Sequence, residues 1–282
     1  MRLVSLQPSI SITLRELGRL DALCACTKYC VEAVPELAAL GLPVLQDSWS
    51  FDRTPSDGSD LKKPGELEKL LAARPELVIA SVPYRMESLA AILKCGVPVL
   101  ALTPHSLADI YADVRLIASV IHADPEPVVA KMQAAMDATA ARVVHVPEAQ
   151  RPLVYCEEWG KPLIHSQGWV AELVEAAGGR FAGTPGAHTA ADAIAALDPD
   201  VLLFAWCGVR DRVPLARVIE QRGWHSLRAV KAGRVHCIPD EFLNTPAPTL
   251  MEGLRCIAAA VQPGVHMAHP AMLTLAVTDR ER

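Results

Sequence analysis

Three thiols stand close together in this chain, Cys24, Cys26 and Cys30. Sulfur ligands at short spacing suit zinc or a soft metal. No second C-x-x-C pair accompanies them, and Cys24 and Cys26 share one face of an apolar run, so burial is preferred. Ser9, Ser166 and Cys207 are conceivable nucleophiles, but none lies in a G-x-S-x-G elbow. Glu157 and Glu158 could do acid–base work, yet adjacent residues on a strand point to opposite faces. Arg210-Asp211-Arg212 suits a carboxylate or phosphate substituent, and reads equally well as a solvated loop. No catalytic residue and no resident cofactor is assigned.

The aromatic residues carry more. The chain has only five Trp, four Tyr and four Phe. About half of them fall where a strand is expected to end: Tyr29, Tyr84, Trp159, Trp206 and Phe242, with Trp49 in a long polar stretch. Flat rings suit a flat macrocycle, each hiding ~150–250 Å². The competing reading makes Trp159 and Trp206 ordinary packing. Phe51, Arg85 and Asn244 complete the candidate ligand-binding set.

Strands followed by helices must present these rings. Residues 124–143 (DPEPVVAKMQAAMDATAARV) read as one helix, capped by Asp124 and opened by Pro125. Similar patterns lie on both sides of it. ELEKLLAARPELVIAS (66–81) matches TAADAIAALDPDVLLFAW (189–206), and RLVSLQPS matches PLVYCEEW. GVPVLAL (96–102) matches GRVHCIP (233–239) in the same order. The expected architecture is α/β: two Rossmann-like lobes with parallel sheets (1–123 and 144–282), one long helix between them, and a ligand cleft between the lobes. A helix without internal Gly resists bending, so ligand-linked motion is expected only in loops such as 46–65.

Several local expectations follow. Gln7-Pro8-Ser9 reads as a turn before a helix at 11–17, and 157–162 as the exit loop of a strand at 153–156. After Pro263 the chain is expected to fray. Net charge −5 without a basic stripe argues against nucleic acid, and no apolar run approaches the ~20 residues of a membrane span. Met1 stands directly before a strand with no leader pattern. That reading places the protein in the cytoplasm with reduced thiols, or in the periplasm if a leader has been removed.

RLVSLQPSISITLREL, LLAARPELVIA, ALDPDVLLF and FLNTPAPTLMEGL together resemble the class III periplasmic substrate-binding proteins of ABC importers. The likeness spans nearly the whole chain and is nearest to cobalamin-binding members. The resemblance implies two α/β lobes bridged by a helix and a small-molecule ligand, with an importer permease as partner. It matches Tyr29 to a corrin-contacting tyrosine, Trp49 to a pocket tryptophan, Tyr84-Arg85 to a Trp-Arg pair and Phe242 to a pocket phenylalanine. Metal-binding relatives imply His105 or His165 with Glu157, Glu158 or Asp240; His165 also suits cobalt. The departures are Ile12 where the family has Glu, Ala191-Asp192 where a permease-facing Glu is expected, and NTPAPT in place of an Arg-rich run. Glu87 stands near the other permease-facing position. The expected function is binding of a corrinoid or related tetrapyrrole. The alternatives are a metal-ion, iron-siderophore or haem binder, and a cytoplasmic enzyme or chaperone acting on a corrinoid.

Overall fold

The apolar runs of the first hundred residues become one parallel sheet. Its strands are β1 (Leu3–Ser5), β2 (Leu23–Thr27), β3 (Val44–Leu45), β4 (Leu77–Ser81) and β5 (Val99–Leu102), in the order β3-β2-β1-β4-β5. The computed structural model describes residues 1–51 and 65–276. Of the long polar stretch 46–65, residues 52–64 lie outside the described residues. β1 and β2 are buried throughout, which is why they read as continuous apolar runs rather than alternating ones. The helices are α1 (Pro8–Glu16), α2 (Lys28–Ala33), α3 (Glu66–Ala72), α4 (Met86–Lys94) and α5 (Leu107–Val120). α1 starts three residues before the expected point. Pro8 takes its first position, where the missing N–H costs nothing, so the supposed turn is helix.

α6 (Glu126–Val143) is a single helix. Asp124 accepts the Glu126 N–H at 3.1 Å, which holds its first turn as expected. By packing, the chain forms two units. One holds residues up to Pro104 with Ala108–Val129; the other holds His105–Leu107 and the chain from Ala130 on.

The second unit is built on β6 (Leu153–Gly160), β7 (Leu163–His165), β8 (Arg180–Phe181), β9 (His188–Thr189), β10 (Val201–Phe204), β11 (Val235–Cys237) and β12 (Leu273–Thr274). Its helices are α7 (Gly168–Ala176), α8 (Ala191–Leu197), α9 (Leu215–Arg222), α10 (Arg228–Lys231) and α11 (Leu250–Val261). The parallel core runs β8-β6-β10-β11, the order of β2-β1-β4-β5 in the first unit. The sequence repeat is thus a repeat of topology.

This sheet is mixed, not purely parallel as expected: β7, β9 and β12 are antiparallel additions. β6 does not end at Cys156 either. It runs on to Gly160 and turns back into β7, so Glu157, Glu158 and Trp159 are strand residues. The expected fraying after Pro263 is corrected as well, because β12 pairs with β11 on the sheet edge.

His236 helps to hold that edge. Its Nδ1 lies 2.9 Å from Thr274 Oγ1, and the side chain is buried. Burial, then nearby Arg234, pushes its pKa down from 6.5 to about 4. The folded state therefore holds the neutral ring, and the unfolded chain takes up the proton first. The stabilisation is complete above 6.5 and is lost as pH falls toward 4. About 3 kcal/mol is at stake. Urea midpoints of the wild type are expected to fall across this window, and those of His236→Gln to fall less. Parallel pH profiles would show that His236 is not the group responsible.

Candidate functional site

In open α/β sheets ligands gather outside the carboxyl ends of the strands, where the strand order reverses. In the first unit that point lies between β1 and β4. Gln7 stands two residues past β1 and is buried there. Its Oε1 accepts the Ser81 N–H at 3.0 Å, and its Nε2 donates to Pro83 O at 3.2 Å and Ser48 Oγ at 3.3 Å. One amide thus ties the ends of β1 and β4 to the loop after β3. Sequence reasoning passed over Gln7; its only signal was a polar residue ending a buried apolar strand.

Trp49 sits in that loop. Asp47 Oδ1 accepts the Trp49 N–H at 2.8 Å and the Ser50 hydroxyl at 2.8 Å, a local turn of the kind Asp favours. The Trp49 carbonyl accepts Arg85 Nη1 at 2.9 Å and Ser88 Oγ at 2.8 Å. Arg85 therefore spends donor capacity on positioning Trp49, and it pairs with Glu87 at 3.7 Å. The Trp49 residue remains 37% exposed. Tyr29, at the start of α2, is 43% exposed, with Lys28 Nζ 4.9 Å from its ring centre. Tyr84 packs partly against the core. Phe51, expected to face a ligand, is instead buried among Leu45, Leu70 and Leu89. An aromatic side chain in a polar stretch here anchors the stretch to the core.

In the second unit the order reverses between β6 and β10. The ladder continues past the last paired residues, with Ala205 N–H donating to Glu157 O at 2.9 Å and Cys207 N–H to Glu158 O at 3.1 Å. This brings Glu157, Glu158, Trp206 and Cys207 together. Glu157 is 0% exposed and carries a bidentate pair with Arg222, at 2.7 and 2.9 Å. Trp206 Nε1–H donates to its Oε1 at 2.8 Å and the Tyr155 hydroxyl to its Oε2. Four donors match the roughly four lone-pair sites of a carboxylate. Burial and Glu157 together hold the Tyr155 phenol protonated, above its ordinary range.

Glu158 falls at an irregularity in the β6–β7 ladder and has partners of its own. It accepts Gln167 Nε2 at 2.7 Å, and burial raises its pKa. Cys207 lies beside it. Burial, then Glu158 and Asp240, pushes its thiol up to about 12. A thiol held protonated is a poor nucleophile and metal ligand at neutral pH. Asn244 donates to Ala205 O at 2.6 Å and to Cys207 Sγ at 3.2 Å. Asp240 accepts the Gly208 and Arg210 N–H groups at 2.6 and 2.8 Å. Phe242 is partly buried and meets His269 edge-on. Trp159 is 40% exposed near the β6–β7 turn, its indole N–H donating to Lys161 O at 2.7 Å.

The other candidates are placed differently. Ser9 and Ser166 are buried, and Ser166 Oγ donates to Cys156 Sγ at 3.1 Å. His165 is buried against Tyr155 and Phe181. Cys24, Cys26 and Cys30 are buried, with Cys30 Sγ 3.2 Å from Thr27 Oγ1. All eight cysteines are unpaired. Among the described residues no three His, Cys, Asp or Glu side chains form a metal-binding group, and no helix is long and apolar enough to cross a membrane.

Two doubly wound units with aromatic and polar groups at their switch points define a ligand-binding fold rather than a particular ligand. A family model described as "Periplasmic binding protein" matches residues 3–242, and the chain belongs to that family, a periplasmic one. It is a substrate-binding protein by that membership. No curated protein gives a match. Among solved structures, a periplasmic heme binding protein from Pseudomonas aeruginosa is 20% identical, covers 98% of each chain and has a TM-score of 0.79. The periplasmic vitamin B12 binding protein of Vibrio cholerae is 18% identical over 93% of this chain and 96% of its own, with a TM-score of 0.67. A molybdate periplasmic binding protein from Haemophilus influenzae is 19% identical, over 93% of this chain and 86% of its own, with a TM-score of 0.72. At these identities the likeness shows the fold.

Proposed function

We propose that this protein captures a corrinoid or related tetrapyrrole for an ABC importer, in the periplasm, and does no chemistry on it. One observation carries the reading. Trp49, Trp159 and Tyr29 stay about 40% exposed at strand ends, and the indole N–H groups of Trp159 and Trp206 are already bonded to protein acceptors. Such rings offer flat apolar surface, which a macrocycle covers with large area burial. The proposed contact residues are Tyr29 and Trp49 in the first unit and Trp159, Trp206 and Phe242 in the second, where Asn244 bonds to the residues flanking Trp206. Arg85 supports Trp49, Tyr84 packs partly against the core, and Phe51 supports the core.

The partner is a permease of the importer, the usual companion of this family. Haem is the second reading, because haem-binding proteins are among the structures with this fold. Titration of the purified protein with cyanocobalamin and separately with hemin tests both. Saturable tryptophan quenching with a shifted corrin spectrum is expected for cyanocobalamin. Saturation by hemin alone would replace the corrinoid with haem, and saturation by neither would overturn the proposal.

A further inference from the structure

Trp206 is held more tightly than a partly buried ring just past a strand end requires. Its indole N–H donates at 2.8 Å to Glu157, a fully buried carboxylate fixed by the bidentate Arg222 pair. The Arg222 guanidinium is itself stacked, 4.8 Å from the Trp224 ring centre and 5.9 Å from that of Phe204. The indole also lies against Gly160, the last residue of β6. A Cβ there would come within 2.5 Å of Trp206 Cζ2 and 2.8 Å of Cε2. The polar edge of the ring is thus clamped and its six-membered portion rests on bare backbone.

We infer that Glu157, Arg222 and Gly160 are positioning residues that fix the Trp206 indole for ligand contact, and that Trp206 offers the ligand apolar ring surface only. A ligand group seeking a hydrogen bond from this indole finds the donor already used. The carboxylate has no spare acceptor site for a rotated ring, so the indole keeps one orientation before ligand arrives. That removes an ordering cost from binding. The inference rests on the ligand reading above for its binding consequence, but its geometric half stands alone.

Indole-¹⁵N labelling tests it, with Trp206→Phe identifying the resonance. In the ligand-free wild type the Trp206 N–H is expected to exchange slowly with solvent despite the partial exposure of the ring, as a donor bound to a buried acceptor does. Gly160→Ala should displace the ring, shift that resonance and weaken cyanocobalamin binding roughly tenfold. A Gly160 of merely local importance would leave the resonance in place. Fast exchange of the wild-type N–H, or an unmoved resonance with unchanged affinity in Gly160→Ala, overturns the inference. If Gly160→Ala does not fold, wild-type exchange still decides it. Failure of the wild type to bind cyanocobalamin removes the ligand reading instead, while the resonance continues to decide the positioning.

Discussion

Arg222→Met is expected to lower the stability of the second unit by about 3–5 kcal/mol, the usual loss when one partner of a buried ion pair is removed. Glu157 is 0% exposed, and the Arg222 side chain is 11% exposed. Without the guanidinium, two of the four donors to the carboxylate disappear and its charge is left uncompensated away from water. Methionine fills much of the same volume, so the loss reports the charge more than a cavity. The double variant Glu157→Gln with Arg222→Met should recover a large part of it, because no ion is then buried. Urea unfolding followed by tryptophan emission reads both. A single variant within ~1 kcal/mol of wild type would show that solvent reaches Glu157, since exposed pairs contribute only that much.

The pair also shows why part of the site was hidden in the sequence. Glu157 and Arg222 are 65 residues apart, and nothing local in either stretch announces the other. Two adjacent glutamates after an apolar run look like the start of a loop. They can remain in the strand because each finds a partner supplied by the fold: Arg222 for Glu157, Gln167 for Glu158. The strands that were legible are buried and flanked by helices, such as Leu23–Thr27 and Val201–Phe204. The missed ones, Leu163–His165, Arg180–Phe181, His188–Thr189 and Leu273–Thr274, have two or three residues each, too few for any periodicity. The repeat was legible because each unit solves the same problem with the same strand order. Phe51 misled for a physical reason: composition says that a segment is polar but not which of its side chains turns inward.

Gly253 makes the second strong case. Within a helix, Gly→Ala ordinarily stabilises by about 1 kcal/mol, because alanine loses less conformational freedom. Here the sign should reverse. Gly253 lies in α11 beneath the segment that carries Phe242 and Asn244. A Cβ at this position would sit well inside 3 Å of the Phe242 carbonyl oxygen and 2.6 Å from Leu243 Cδ2. The leucine tip can rotate aside, but the carbonyl belongs to the backbone and can retreat only if the whole segment lifts. Overpacking of this kind costs about 1–3 kcal/mol, enough to exceed the helix gain. Lifting the segment also strains the Asn244 bond to Ala205 O at 2.6 Å and the Trp169 indole bond to Leu243 O at 2.8 Å. Gly253→Ala is therefore expected to lower the thermal midpoint and weaken cyanocobalamin binding together, although the residue is not among the proposed contacts. Calorimetry and a binding titration on one preparation check both. A variant as stable as wild type would mean that α11 and the Phe242 segment are less closely packed than the structure places them.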